Sequence, residues 1–261
     1  MKVGVFDSGL GGLTVVQAMR GLIKGAEIHY IADTKHAPYG DKSHEEILRY
    51  TLDITEYFIK RHNIDALVVA CNTATTAAIR TLRERYPQLI IVGTEPGVKP
   101  AIEATKSGKV GILATPATLK SEKYQQLVDT LASGSEITLY EQACPGLVEQ
   151  IEQDLVYTEE TRSMLEGWLC GMRESGVDTI VLGCTHYPLA AERISELMNH
   201  QVSLIHTGEA IAKRLLGLAE KQGHNNNGTL SLSLYTTGSI NKKAVSKMLG
   251  ESVTIQKIDR F

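Results

Sequence analysis

The chain has 261 residues, 43% hydrophobic and 22% charged, with 27 basic against 30 acidic side chains and a formal net charge of −3. That length buries roughly 70–75% of the unfolded surface without a disulfide or metal staple, and the absence of any basic face or tail excludes nucleic acid as a partner. No apolar run approaches the ~18 residues of a membrane span, and no secretory signal pattern opens the chain. The four cysteines lack metal-ligand or secreted-framework spacing, which predicts reduced thiols in a cytoplasmic protein with no membrane partner and no metal site.

Taken in chain order, short apolar and β-branched runs predict strands at 2–7, 27–32, 65–70, 89–92, 109–114, 136–140, 178–183 and 202–206. Between them run helical patterns. Leu13, Val16, Met19 and Ile23 share one face, and Ile47, Tyr50, Ile54, Tyr57 and Phe58 share another within a helix over 44–62. Continuous apolar strands such as Ala66–Ala70 read as parallel strands covered on both faces. The expected fold class is α/β: two related three-layer domains with mostly parallel sheets, facing each other across an active-site cleft. Pro and Gly in Thr94-Glu95-Pro96-Gly97 mark the boundary. Residues after 208 hold a helix (Glu209–Gln222), a polar loop, a strand at 230–235, a short helix and a last strand. They are expected to return, so the first domain covers 1–96 and 208–261 and the second 97–207.

Two segments echo one another. Leu67-Val68-Val69-Ala70-Cys71-Asn72-Thr73 is an apolar run ending in Cys-Asn-Thr, and Ile180-Val181-Leu182-Gly183-Cys184-Thr185-His186 ends in Cys-Thr-His, 113 residues later. Val3-Gly4-Val5-Phe6-Asp7-Ser8 and Val110-Gly111-Ile112-Leu113-Ala114-Thr115 repeat at an offset of 107. Ligands of open α/β sheets bind outside the carboxyl ends of the strands. A thiol there, before a helix, meets the positive end of the helix dipole, which favours the thiolate. Asn72 and Thr73 could cap that helix or meet a ligand carboxylate, and Thr185, His186 and Pro188 follow Cys184 in the same way. Either cysteine alone reads equally as a small buried residue; the matched pair argues for chemistry. Cys144 and Cys170 read as structural.

Asp7-Ser8-Gly9-Leu10-Gly11-Gly12 permits a tight turn but does not match G-x-G-x-x-G, and Asp7 would repel a pyrophosphate. Asp7 is either an acid–base aid, a partner for a ligand ammonium, or a helix cap. Pro38-Tyr39-Gly40 lies in a polar loop at a strand end, a place for binding groups or an ordinary turn. His186 stands two residues from Cys184, as an acid–base partner would. Among Glu149, Glu152, Glu159 and Glu160, most are solvated and one could orient His186. Thr115 and Thr118 could bind a carboxylate or cap a helix. Two thiols at strand ends suit proton transfer at a carbon; nucleophilic or redox chemistry remains an alternative, although no C-x-x-C occurs.

Gly4-Val5-Phe6-Asp7-Ser8-Gly9, Pro38-Tyr39-Gly40, Ala70-Cys71-Asn72-Thr73-Ala74 and Gly183-Cys184-Thr185-His186-Tyr187-Pro188 together resemble the bacterial glutamate racemases, in the family's order and over essentially the whole chain. The resemblance implies a cofactor-independent isomerase that interconverts L- and D-glutamate for peptidoglycan, and hence cell-wall biogenesis and cell shape, and that forms a homodimer. It implies that Cys71 takes the α-proton of D-glutamate and Cys184 that of L-glutamate, with Asp7 and His186 assisting. Ser8, Tyr39, Gly40, Asn72, Thr73, Thr185, Thr115 and Thr118 would hold the substrate. The family's further glutamate falls on Glu152, with Glu149 as the alternative. An aspartate racemase, one methylene shorter in substrate, is separated from this by only ~1–3 kcal/mol. An amino-acid-binding module and a thiol-dependent hydrolase are readings from other classes.

Overall fold

The computed structural model describes residues 1–132 and 136–259. Residues 133–135 and 260–261, which fall in the spans expected for the second and first domains, lie outside the described residues. The chain divides into two compact units, Met1–Thr94 with Thr207–Phe261, and Glu95–His206.

The first unit opens with β1 (Lys2–Asp7), α1 (Leu13–Leu22), β2 (Glu27–Ala32), a 3-10 turn (Tyr39–Asp41), α2 (His44–His62), β3 (Ala66–Val69), α3 (Asn72–Arg85) and β4 (Ile90–Gly93). The second unit follows with α4 (Val98–Ala104), β5 (Lys109–Ala114), α5 (Pro116–Leu119), α6 (Glu122–Ala132), β6 (Thr138–Ala143), α7 (Leu147–Glu152), α8 (Glu159–Glu174), β7 (Thr179–Leu182), a 3-10 turn (Tyr187–Ala190), α9 (Ala191–Leu197) and β8 (Ser203–Ile205). Then α10 (Gly208–Lys221), β9 (Ser231–Thr236), α11 (Lys242–Leu249) and β10 (Ile255–Lys257) complete the first unit. Among the described residues, no helix is long and apolar enough to cross a membrane.

Both sheets are parallel. The first runs β10-β9-β2-β1-β3-β4 and the second β6-β5-β7-β8. The order β2-β1-β3-β4 thus recurs as β6-β5-β7-β8, the structural form of the sequence echo. Every residue of β3 and of β7 is buried, as strands covered on both faces must be. Small matched features repeat too. Asp65 before β3 accepts the Lys2 backbone N–H at 2.7 Å, tying β3 to the start of β1. Asp178 before β7 accepts from Thr105 Oγ1 and from the N–H groups of Lys106 and Ser107 at 2.5, 2.8 and 2.7 Å, tying β7 to the segment that enters β5.

The glycines at the middle of β1 and β5 set how closely a helix can approach. A Cβ on Gly4 would stand 2.8 Å from Phe58 Cγ of α2, and one on Gly111 would stand 2.8 Å from Met172 Sδ of α8. Each helix therefore lies directly on its strand. α2 is bounded by a Ser43/Glu46 capping box and by Asn63 in the left-handed region.

Three sequence expectations shift. The strand expected at 136–140 lies at Thr138–Ala143, an edge strand whose burial is only partial, so Glu141 and Gln142 blurred its alternation. The helix expected to begin near Thr73 begins at Asn72, and its N-cap is Cys71 itself rather than Asn72 or Thr73. The helix expected directly after Cys184 starts as a 3-10 turn, which Pro188 suits, before α9.

Candidate active site

In the first unit the carboxyl ends of β1, β2 and β3 carry Asp7, Asp33 and Cys71. All three are buried, Asp7 and Asp33 completely. Cys71 takes an extended backbone as N-cap of α3, and its Sγ accepts the Ala74 N–H at 3.5 Å. The thiol therefore points at the positive end of a 14-residue helix, the environment that favours a thiolate. Two threonines behind it hold the strand-to-helix turn. Thr94 Oγ1 donates to the carbonyls of Val69 and Ala70, each at 3.0 Å, and Thr75 Oγ1 donates to Val69 O at 3.1 Å. Asn72 and Thr73 are buried in the first turn of α3.

Asp7 holds the loop that follows it. Its Oδ2 accepts the N–H of Gly9 at 3.2 Å and of Gly12 at 3.0 Å, and Tyr30 Oη donates to Gly9 O at 2.6 Å. A Cβ on Gly12 would stand 2.6 Å from Asp7 Cβ. The glycines thus let the loop wrap the carboxylate, not a phosphate. Ser8 is buried in this loop. Tyr39 is buried in its 3-10 turn and donates to Asp33 Oδ2 at 2.5 Å, while Gly40 is half-buried beside it. Burial first, then the negative charges of Asp33, Cys71 and Asp7, push the Tyr39 phenol well above its ordinary value. Asp7, Asp33, Tyr39 and Cys71 form one electrostatic neighbourhood.

In the second unit Cys184 follows β7. His186 is 1% exposed, and its Nδ1 lies 3.8 Å from Cys184 Sγ and 3.4 Å from Thr185 Oγ1. Its Nε2 lies 2.6 Å from Glu152 Oε1, at the end of α7. A carboxylate at that distance calls for a proton on Nε2, which leaves Nδ1 to accept the thiol proton, or to donate to the thiolate when the ring is cationic. Of the four glutamates considered, Glu152 is the one that touches His186; Glu159 and Glu160 are exposed. Glu149 is near Tyr187, whose phenol is raised by burial, then by Cys184, Cys144 and Glu149. Thr115 caps α5, accepting the Thr118 N–H at 3.2 Å and donating to Thr118 Oγ1 at 3.0 Å. Cys144 is buried and its thiol is pushed far up, by burial first and then by Cys184, so it stays protonated. Cys170 sits half-exposed on α8, its thiol donating to Glu174 at 3.3 Å.

The sequence reading missed Asp33, Thr75, Thr94 and Tyr187. Asp33 had a usable signal, since it follows its strand as closely as Asp7 ends its own. The two threonines had none, because they act on main-chain carbonyls. Among the described residues no group of three or more His, Cys, Asp or Glu is arranged to hold a metal ion.

The two units thus carry matched thiols at strand ends in different settings: Cys71 at the N-terminus of α3, and Cys184 backed by the His186–Glu152 pair. The chain belongs to the Asp/Glu/hydantoin racemase family, whose profile matches residues 13–215. Within it the chain is similar to glutamate racemases. It is 62% identical to the glutamate racemase of Sulfurovum sp. (strain NBC37-1) over 96% of this chain and 95% of that one. A glutamate racemase isoform of Bacillus anthracis has a crystal structure with a TM-score of 0.86 and 32% identity, covering 98% of this chain and 97% of that one. The Escherichia coli glutamate racemase, solved with L-glutamate and the activator UDP-MurNAc-Ala, has a TM-score of 0.85 and 30% identity, covering 100% of this chain and 98% of that one.

Proposed function

We propose that this protein is an isomerase that interconverts L- and D-glutamate by two-base proton transfer, without a cofactor, and supplies D-glutamate for peptidoglycan. The observation that supports the reading is that Cys71 and Cys184 occupy equivalent strand-to-helix junctions of their own units, Cys184 with His186 and Glu152 behind it.

The chemistry sets a hard requirement. The α-proton of an amino acid is a very weak acid, and a thiolate is a much weaker base than the carbanion it must create. The reacting carbon has to be shielded from water, with hydrogen-bond donors around the α-carboxylate, where negative charge grows. In the D-to-L direction, the Cys71 thiolate takes the α-proton and the electron pair spreads into the carboxylate. The Cys184 thiol then delivers a proton to the opposite face, leaving Cys71 protonated and Cys184 ionised. The reverse direction exchanges their roles. Asp7 assists Cys71, and His186, held by Glu152, assists Cys184. Ser8, Tyr39, Gly40, Asn72, Thr73, Thr115, Thr118 and Thr185 hold the substrate's charged groups. The reaction asks for one thiol on each face of the α-carbon, and the protein acts as a homodimer.

Proton NMR of the purified protein with L-glutamate, and separately with L-aspartate, in deuterated water tests the reading. Loss of the α-proton signal together with decay of optical rotation, for glutamate alone, is the expected result. Exchange of aspartate alone would move the assignment to the shorter substrate, and exchange of neither would sink it.

A further inference from the structure

The Asp33 carboxylate is completely buried at the end of β2 and takes donors from two distant stretches of chain. From its own loop come Tyr39 Oη, 2.5 Å from Oδ2, and His36 Nδ1, 3.0 Å from each oxygen. From the returning C-terminal segment comes Thr237 Oγ1, 2.7 Å from Oδ1. We propose that Thr237 is a positioning residue for the reaction: its hydroxyl orients Asp33, which through Tyr39 fixes the Tyr39-Gly40 segment against the substrate. The inference rests on the racemase reading above.

The hydroxyl of Thr237 is shared. While it donates to Asp33 it accepts the Lys35 N–H at 3.0 Å, and the Thr237 N–H donates to Ala32 O at 3.1 Å. The residues on either side make the same bracket. Thr236 Oγ1 meets Thr34 Oγ1 at 2.8 Å, and the Gly238 N–H donates to Thr34 Oγ1 at 3.0 Å. A Cβ on Gly238 would stand 2.9 Å from Lys35 N, so the chain there has room only for glycine. Thr236-Thr237-Gly238 thus clasps the loop after β2 at three consecutive residues.

The clasp matters because of what Asp33 must do. A buried carboxylate needs its lone pairs filled. With Oδ1 held by Thr237, Oδ2 faces Tyr39. Without Thr237, Oδ1 keeps only His36, which is equidistant from both oxygens. The carboxylate is then free to rotate, and the Tyr39 phenol loses its fixed acceptor. Lys35 is exposed and residues 36–38 are half-buried, so Tyr39 is the buried anchor of that stretch.

The test is steady-state racemisation by Thr237→Val, which keeps the side-chain shape and deletes the O–H, beside Thr237→Ser, Tyr39→Phe and the Thr237→Val/Tyr39→Phe double variant. The expected result is that Thr237→Val raises the KM for glutamate about tenfold with a smaller change in kcat, and that Thr237→Ser returns it to the wild-type value. The double variant should be no worse than the worse single one, because both act through Asp33. A wild-type KM in Thr237→Val, a Thr237→Ser no better than Thr237→Val, or effects that multiply would overturn the inference. If Thr237→Val does not fold, Tyr39→Phe probes the same link from its other end, and an unchanged KM there overturns it equally. A wild-type protein that exchanges no α-proton sinks the racemase reading itself, whereas an active wild type with insensitive variants sinks only the role of Thr237.

Discussion

Each thiol sits in a different local setting, and the two-base proposal is testable one residue at a time. Cys71 has a helix N-terminus and the Asp7 neighbourhood, whereas Cys184 has His186 and Glu152. With Cys184→Ser, inversion should fall by at least ~10²-fold, while D-glutamate still exchanges its α-proton in deuterated water, because Cys71 can return a deuteron to the face it came from. Cys71→Ser should show the mirror pattern with L-glutamate. Equal exchange of both enantiomers by either variant would remove the two-base scheme. Glu152→Gln keeps the shape but weakens the hold on His186 Nε2, and kcat/KM should drop by roughly 10–100-fold. The drop must be the same in both directions, since two enantiomers have equal free energy and their ratio of kcat/KM values is fixed at one. Polarimetry from each side would read it.

At the scale of elements, helix-on-strand contact is set by absent side chains. Gly4→Ala presses a Cβ against the ring of Phe58, which is fully buried and cannot turn aside; Gly111→Ala meets the flexible thioether of Met172 most closely, at 2.8 Å, and Ile180 Cγ1 at 3.0 Å. Gly4→Ala should cost about 1–3 kcal/mol and Gly111→Ala distinctly less, measured by urea unfolding; the reverse order would contradict the packing described. The same scale shows what could be read in advance. The α2 helix, both buried central strands and the strand-end position of the cysteines follow from periodicity and apolar runs, because burial on a fixed face leaves a repeating mark in sequence. The edge strand β6 left a weaker mark, since partial burial tolerates Glu141 and Gln142. Thr75, Thr94 and Thr237 left almost none. Each fills a single hydrogen-bonding need created by distant parts of the chain, such as the 204 residues that separate Asp33 from Thr237.

For the whole molecule, acid should find a weak place away from the thiols. His29 of β2 and His62 at the end of α2 are stacked, with ring centroids 3.9 Å apart. Burial lowers the pKa of His29 against the pull of Glu27, and burial followed by His29 lowers that of His62; Lys2 opposes protonation of both. Glu27 Oε1 comes within 3.0 Å of His29 Nε2, but off a hydrogen-bond line. The sign follows directly: the unfolded chain takes up these protons near pH 6.5 and the folded chain resists them, so stability is full above that pH and falls as pH drops through it, levelling only below the folded values. The melting temperature should decline from pH 8 to pH 5, and His62→Phe, which keeps a stacked ring without a titrating group, should flatten the decline. An unaltered slope in that variant would assign the acid sensitivity elsewhere.

The first sheet is assembled from both ends of the polypeptide, with β9 pairing to β2 across all six residues from Glu27 to Ala32. A ribosome delivers those partners roughly two hundred codons apart, and the whole of the second unit emerges in between. Until translation reaches β9, one flank of β2 has no strand to bond with, and open flanks recruit other nascent chains. The Asp33 loop must likewise wait for Thr237, so a chain released before β9 would lack both the clasp on that loop and the strand that covers β2.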